Sequence, residues 1–126
     1  MEKHNLSETL KQQFYLYPNV KTRYFVKVFD SFIKFIEVSN ANSGIDIPYA
    51  DITGCDCRRG SKKSDNAAYV SIFCYMHKKK LLGDNTRRYR KVYTLQLCNH
   101  HTYDENVKDA HLWKSVLRNL TNGKSS

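Results

Sequence analysis

The stretch Thr102-Tyr103-Asp104-Glu105-Asn106 decides the fold, because it opens a helix that carries the chain's only tryptophan, Trp113. Thr102 and Glu105 have the spacing of a capping box, in which the hydroxyl accepts from the Glu105 amide while the glutamate reaches back. Beyond it, Ala110, Trp113, Leu117 and Leu120 follow at steps of three and four residues. That rhythm puts them on one face and directs Lys108, Lys114 and Arg118 mostly toward water. A helix with one apolar face must lie on something apolar. Everything upstream reads as strands, so the strands must supply it.

Gln13 to Tyr17 opens the strand series, and Pro18-Asn19 is a turn signal. Arg23 to Phe29 and Phe32 to Val38 are aromatic and β-branched runs separated by Asp30-Ser31, the pattern of a hairpin. Ser39 to Gly44 reads as a loop. Ile45-Asp46-Ile47 alternates and stops near Pro48, and Ile52 to Cys57 is another short strand. Ala68 to Met76 alternates clearly, with Val70, Ile72 and Cys74 on one face and Tyr69, Ser71, Phe73 and Tyr75 on the other. After a basic stretch from Lys78 to Arg90 comes a last strand, Val92 to Cys98, whose core side carries Tyr93, Leu95 and Leu97. Residues 1–9 read as a flexible N-terminus, 10–121 as one domain, and 122–126 as a polar tail or the start of a linker.

A chain of 126 residues is long enough to bury one real core. The formal charge is +9, from 21 Lys and Arg against 12 Asp and Glu, which suits acidic partners: phospholipid, nucleic acid or an acidic protein. No apolar run approaches the ~20 residues of a membrane span. No apolar leader follows Met1, so a cytoplasmic or peripheral-membrane location is expected. Cys55, Cys57, Cys74 and Cys98 lack the spacing of a disulfide scaffold and read as reduced thiols. Cys55-x-Cys57 and Cys98-x-His100 are too tightly spaced for structural zinc, so no metal is expected.

Seven short strands and one terminal helix are the layout of a pleckstrin-homology-like domain. That fold is mainly β, a bent seven-stranded antiparallel barrel capped by one C-terminal α-helix, and here Ala110, Trp113, Leu117 and Leu120 would form the plug. More specifically, Ile47-Pro48, Asp51-Ile52-Thr53-Gly54-Cys55, Ser64-Asp65-Asn66-Ala67-Ala68-Tyr69, and Thr102 to Asn106 with Trp113 resemble the N-terminal region of sphingosine kinases. The resemblance lies in their order and spacing, and it runs from about Tyr17 to Gly123. It implies a pleckstrin-homology-like regulatory region ahead of a catalytic domain that phosphorylates sphingoid bases with ATP. That family carries a Gly-Gly-Asp-Gly phosphate-binding motif. The five glycines here, Gly44, Gly54, Gly60, Gly83 and Gly123, include no adjacent pair. The expectation is a non-catalytic targeting module that needs no cofactor.

The candidate sites are basic clusters. Lys78, Lys79 and Lys80 on one side, and Arg87, Arg88, Arg90 and Lys91 on the other, flank Leu81 to Asn85. The resemblance implies that this segment lies beside the first hairpin with Lys21 and Arg23, so that the cations converge on an acidic phospholipid surface or a protein partner. Each cation near an anionic bilayer contributes about 1 kcal/mol, and Leu81 and Leu82 could insert. Lys11, Lys21 and Arg23 match the basic spacing of phosphoinositide-binding members only superficially, because the Pro18 turn keeps Lys11 far from that loop. Arg58, Arg59, Lys62 and Lys63 form a secondary basic patch toward the opposite end.

Nucleic-acid binding is the alternative that charge and aromatic strands suggest. It is disfavoured, because Arg23 to Phe29 lacks the glycine of an RNA-recognition motif and no helix follows the first strand. Lys78 to Lys91 is a weak nuclear-import match, split by Leu81 to Thr86. The isolated domain is expected to be a monomer.

Overall fold

A computed structural model describes the backbone of residues 11–59, 66–79 and 86–125, and within them the side chains of all but 58, 59, 78, 79, 86, 87 and 122–125. Among the described residues, seven strands precede one long helix: β1 (Phe14–Leu16), β2 (Asn19–Val28), β3 (Phe32–Glu37), β4 (Asn40–Pro48), β5 (Ile52–Arg59), β6 (Ala68–Lys79), β7 (Thr86–Leu97) and α1 (Tyr103–Ser125). A 3-10 turn, Tyr49–Asp51, joins β4 to β5. All pairings are antiparallel, in the order β4-β3-β2-β1-β7-β6-β5. The short β1 therefore bridges two hairpin-built halves.

The sheet curls, and one contact proves it. Phe35 of β3 and Tyr93 of β7 are three places apart in the strand order, about 14 Å on a flat sheet at ~4.8 Å per strand. Their rings nevertheless meet edge-on with centroids 6.1 Å apart. Irregularities at Tyr15/Leu16, Ile36/Glu37 and Ile52/Gly54 provide the bends. Inside the curl, Phe14, Ile33, Phe35, Val70, Ile72, Leu95 and Leu97 are buried. Each contributes about 1.5–3 kcal/mol relative to exposure.

The helix covers this core. Ala110, Trp113 and Leu117 are buried against it, Val107 and Leu120 pack at its margin, and Val116 is buried as well. Trp113 is 0% exposed and meets Phe14 edge-on, centroids 5.5 Å apart. At the helix start the Glu105 amide donates to the Thr102 hydroxyl at 3.3 Å. The return contact differs from the usual box, because the hydroxyl itself donates to the Glu105 carboxylate at 2.9 Å.

Three boundaries correct the sequence reading. Ser39 to Gly44 is not a loop, since β4 already begins at Asn40 and pairs with Glu37. Its first residues are exposed and polar because β4 is an edge strand with water beside it, a place where strands carry polar side chains. The described part of the basic stretch is strand: β6 runs to Lys79 and β7 starts at Thr86. Finally, α1 continues through Ser125, so Asn122 to Ser125 are helical where a polar tail was expected.

Candidate functional site

β6 and β7 pair without interruption from Ala68↔Leu97 to Lys79↔Thr86. β5 stops accompanying them at Ile52↔Cys74. Beyond Cys74 the hairpin continues as a two-stranded ribbon of five rungs, Tyr75↔Arg90 through Lys79↔Thr86. Alternation divides its side chains between two faces. The outer face carries Tyr75 and Arg90, then His77 and Arg88. The inner face carries Met76 and Tyr89, and Lys91 beside Cys74.

Aromatic neighbours order these cations. The Arg88 guanidinium lies 3.8 Å from the Tyr75 ring centroid, a cation–π contact worth about 0.5–1 kcal/mol at an exposed site. Hydrogen bonding from Arg90, then from Arg88, holds the Tyr75 phenol below the usual tyrosine range. Lys91 stands 5.5 Å over the Tyr93 ring, and the Tyr93 hydroxyl donates to the Met76 sulfur at 3.8 Å. His77 Nε2 approaches Asp51 Oδ1 at 3.3 Å, which ties the ribbon to the 3-10 turn. Arg88, Arg90 and Lys91 are all exposed.

Along the ladder, the register sets Lys21 and Arg23 apart from the cations of the ribbon. Arg23 pairs with Tyr15, which pairs with Gln96. Arg88 stands eight positions further along β7, roughly 26 Å at ~3.3 Å per residue. Lys21 lies in the irregular segment between Asn19 and Arg23, level with Leu16, and is exposed. Arg23 is engaged elsewhere: its Nε donates to the Tyr15 hydroxyl at 3.0 Å, and it lines a depression of about 240 Å³ with Gln13, Cys98 and Asn99. The reason is the length of the ribbon, which overhangs the short β1–β2 turn. Lys11 is exposed ahead of β1.

Lys78, Lys79 and Arg87 lie on the ribbon by their backbone, while Lys80 to Asn85 lie outside the described residues. Arg58 and Arg59 end β5, opposite Tyr69 and Ala68. Lys62 and Lys63 also fall outside the described residues.

Cys55 and Cys57 point at α1, where their thiols donate to the Lys114 carbonyl at 3.8 Å and the Ala110 carbonyl at 3.4 Å. Burial pushes both thiols up, which makes them poor nucleophiles. Among the described residues no group of three or more His, Cys, Asp and Glu side chains is arranged to hold a metal ion. No described helix is long and apolar enough to cross a membrane.

Sequence reasoning passed over Asn106 and Gly54. Asn106 is 0% exposed and holds the helix start to two loops. Its only signal was a polar residue on the apolar side of the helix. Gly54 is paired with Phe73 and has open space where a Cβ would point. A lone glycine inside a strand pattern is the signal for such a close or open spot.

No model of a known protein family matches the chain. Over 77 residues, 61% of the chain, the sequence is 32% identical to human sphingosine kinase 2. The match spans 11% of that relative's length, so the chain corresponds to a small part of it. The similarity suggests a relation to the sphingosine kinase family.

Proposed function

We propose that this chain is a pleckstrin-homology-like, non-catalytic targeting module of a sphingosine kinase-like protein, and that it holds that protein at an anionic membrane surface. The observation that carries the reading is the β6–β7 ribbon, which runs past the core and presents Arg88, Arg90 and Lys91 to solvent. The seven-strand and terminal-helix order and the similarity to a sphingosine kinase support the context. Lys78, Lys79 and Arg87 lie on the same ribbon by their backbone, and Lys80 follows them in the sequence. At about 1 kcal/mol per cation near an anionic leaflet, such a set gives weak, reversible recruitment. Lys21 and Arg23 on β2 and Arg58 and Arg59 on β5 belong to other parts of the sheet and contribute to diffuse attraction, while Lys62 and Lys63 of the same sequence cluster lie outside the described residues.

Such contacts are screened by salt, with a Debye length of about 10 Å at 0.1 M. The purified chain should pellet with phosphatidylcholine vesicles containing phosphatidylserine, release at high salt, and ignore pure phosphatidylcholine. Replacing Arg88, Arg90 and Lys91 by Gln together should abolish pelleting. Unchanged pelleting of that variant would refute the membrane reading. The chain alone should not phosphorylate sphingosine with ATP, and measurable turnover would refute the non-catalytic assignment.

A further inference from the structure

We infer that the outer face of β5, β6 and β7 is a docking groove for an acidic, extended protein segment that carries an apolar side chain. This surface goes beyond the membrane reading and shares with it Arg88, Arg90 and Lys91 of the ribbon stem.

The groove follows from the register. Thr53 is the extra residue at the β5 irregularity, and its hydroxyl donates to the Phe73 carbonyl at 3.1 Å. The next rung is Gly54, Phe73 and Val92 across three strands. Phe73 and Val92 are 38% and 46% exposed, whereas Gly54 offers no side chain and has no atom within 4 Å of its missing Cβ. Beside this rung lies a depression of about 380 Å³ lined by Thr53, Phe73, Cys74, Tyr75, Arg90, Lys91 and Val92. That volume is within the ~300–1,000 Å³ range of binding clefts. The helix packs against Cys55 and Cys57 on the other face of this half-sheet, and among the described residues Phe73 and Val92 stay exposed.

The next two outer rungs fix the charge of the occupant. Arg90 lies beside Tyr75, and Arg88 beside His77. Both guanidinium groups are gathered on Tyr75. Among the described residues neither forms an ion pair. Two guanidinium forks next to an apolar slot match carboxylates next to an apolar side chain. Aromatic residues and arginine are also what anchors protein interfaces. A bilayer is the poorer occupant here, because a flat surface meets protruding residues first and cannot fill a concave depression between Thr53 and Phe73. The occupant is therefore an acidic peptide segment whose apolar side chain enters between Thr53 and Phe73 while its carboxylates reach Arg90 and Arg88.

The test is an NMR titration of the ¹⁵N-labelled chain with an alternating Glu-Leu peptide about seven residues long, enough to cross the groove at ~3.3 Å per residue. Glu-Ser and Lys-Leu peptides of the same length serve as controls. Shifts should concentrate at the amides of Thr53, Phe73, Arg90 and Val92, with Glu-Leu binding more tightly than either control. Val92→Ser removes an exposed apolar wall of the depression and should weaken binding about tenfold or more, the scale of one lost anchor. It should leave phosphatidylserine-vesicle pelleting intact. Phe73→Ser provides a second variant that removes the neighbouring apolar wall and should weaken binding in the same direction. Equal binding of Glu-Ser would reduce the groove to diffuse electrostatics, and undiminished binding by Val92→Ser would place the peptide elsewhere. Either result overturns the inference, as would shifts at these four amides produced by phosphatidylserine vesicles and not by the peptide.

Discussion

Trp113 donates its indole N–H to the side-chain carbonyl of Gln12, 2.9 Å away and 101 residues earlier in the chain. The helix plug and the segment leading into β1 are thereby fastened to each other. The same indole packs edge-on against Phe14, the first residue of β1. Trp113→Ala should cost about 3–5 kcal/mol, the range for truncating a large buried aromatic. Gln12→Ala removes only the hydrogen bond and should cost about 1 kcal/mol. Urea titrations would rank the two, with an unchanged slope showing that the denatured state is the same. A Gln12 variant as damaging as the Trp113 variant would contradict the plug account.

Asn106 should be the most sensitive polar residue. Its Oδ1 accepts from the His100 amide at 3.0 Å, and its Nδ2 donates to the carbonyls of Asn66 at 2.8 Å and His100 at 3.2 Å. Asn66 in turn donates to the His101 carbonyl at 2.7 Å. Asn106→Ala strands three backbone groups, for a loss of about 1–3 kcal/mol. The His100 amide should lose hydrogen-exchange protection before the strands do. Asn106→Asp keeps the acceptor and loses both donated bonds, so it should also destabilise. Full protection of His100 in either variant would show that the loop is held by something else.

Much of this was legible in the sequence, for identifiable reasons. The helix with Trp113 and the inward alternation of Val70, Ile72 and Cys74 were readable because burial on one face imposes a period. The edge strand from Asn40 was not, since an exposed edge imposes no apolar pattern and Asn, Ser and Gly imitate a loop. The ribbon was hidden by its charges: with both faces in water, Arg88 and Arg90 alternate with Tyr89 without an apolar side. Family resemblance placed Lys21 and Arg23 beside the hairpin, but hairpin length is a local property that such a resemblance does not carry. Asn106 was missed because three-centre satisfaction of loop backbone depends on where Asn66 arrives, and that is tertiary.

Alkaline pH should destabilise the fold. Burial raises the phenols of Tyr24, Tyr49 and Tyr93 and the thiols of Cys55, Cys57 and Cys74. Groups whose folded pKa lies above the unfolded one stabilise fully below the unfolded value, and that contribution is lost as pH rises through the folded value. The decline should begin near the ordinary thiol value of about 8.5 and steepen past the phenol value of about 10. Tyr75 has the opposite sign, because Arg90 and Arg88 favour its anion. Its contribution is present above the unfolded phenol value and lost as pH falls. Three raised phenols outweigh one lowered, so Tm should fall with rising pH. In a phenolate absorbance titration Tyr75 should ionise ahead of the buried tyrosines, and Arg90→Gln should delay it. A first ionisation that survives Tyr75→Phe would disprove the assignment.

Two glycines in equivalent sequence settings should respond with opposite signs. Gly44 pairs with Ile36 beside the β3 irregularity, and a Cβ there would lie 2.7 Å from the Phe35 carbonyl oxygen and 3.0 Å from the Lys34 side chain. The Lys34 chain can move, but the backbone carbonyl is fixed in the ladder. Gly44→Ala should therefore cost about 1–3 kcal/mol, as other forced insertions into packed structure do. Gly54 meets nothing within 4 Å. Gly54→Ala or Gly54→Val removes chain entropy from the unfolded state and raises β-propensity, so it should be neutral or stabilising by up to about 1 kcal/mol. Urea midpoints for the two alanine variants give the comparison directly. Equal midpoints would mean that β3 and β4 are not in the close contact that excludes a side chain at Gly44. A destabilised Gly54 variant would mean that the space beside Gly54 is not open.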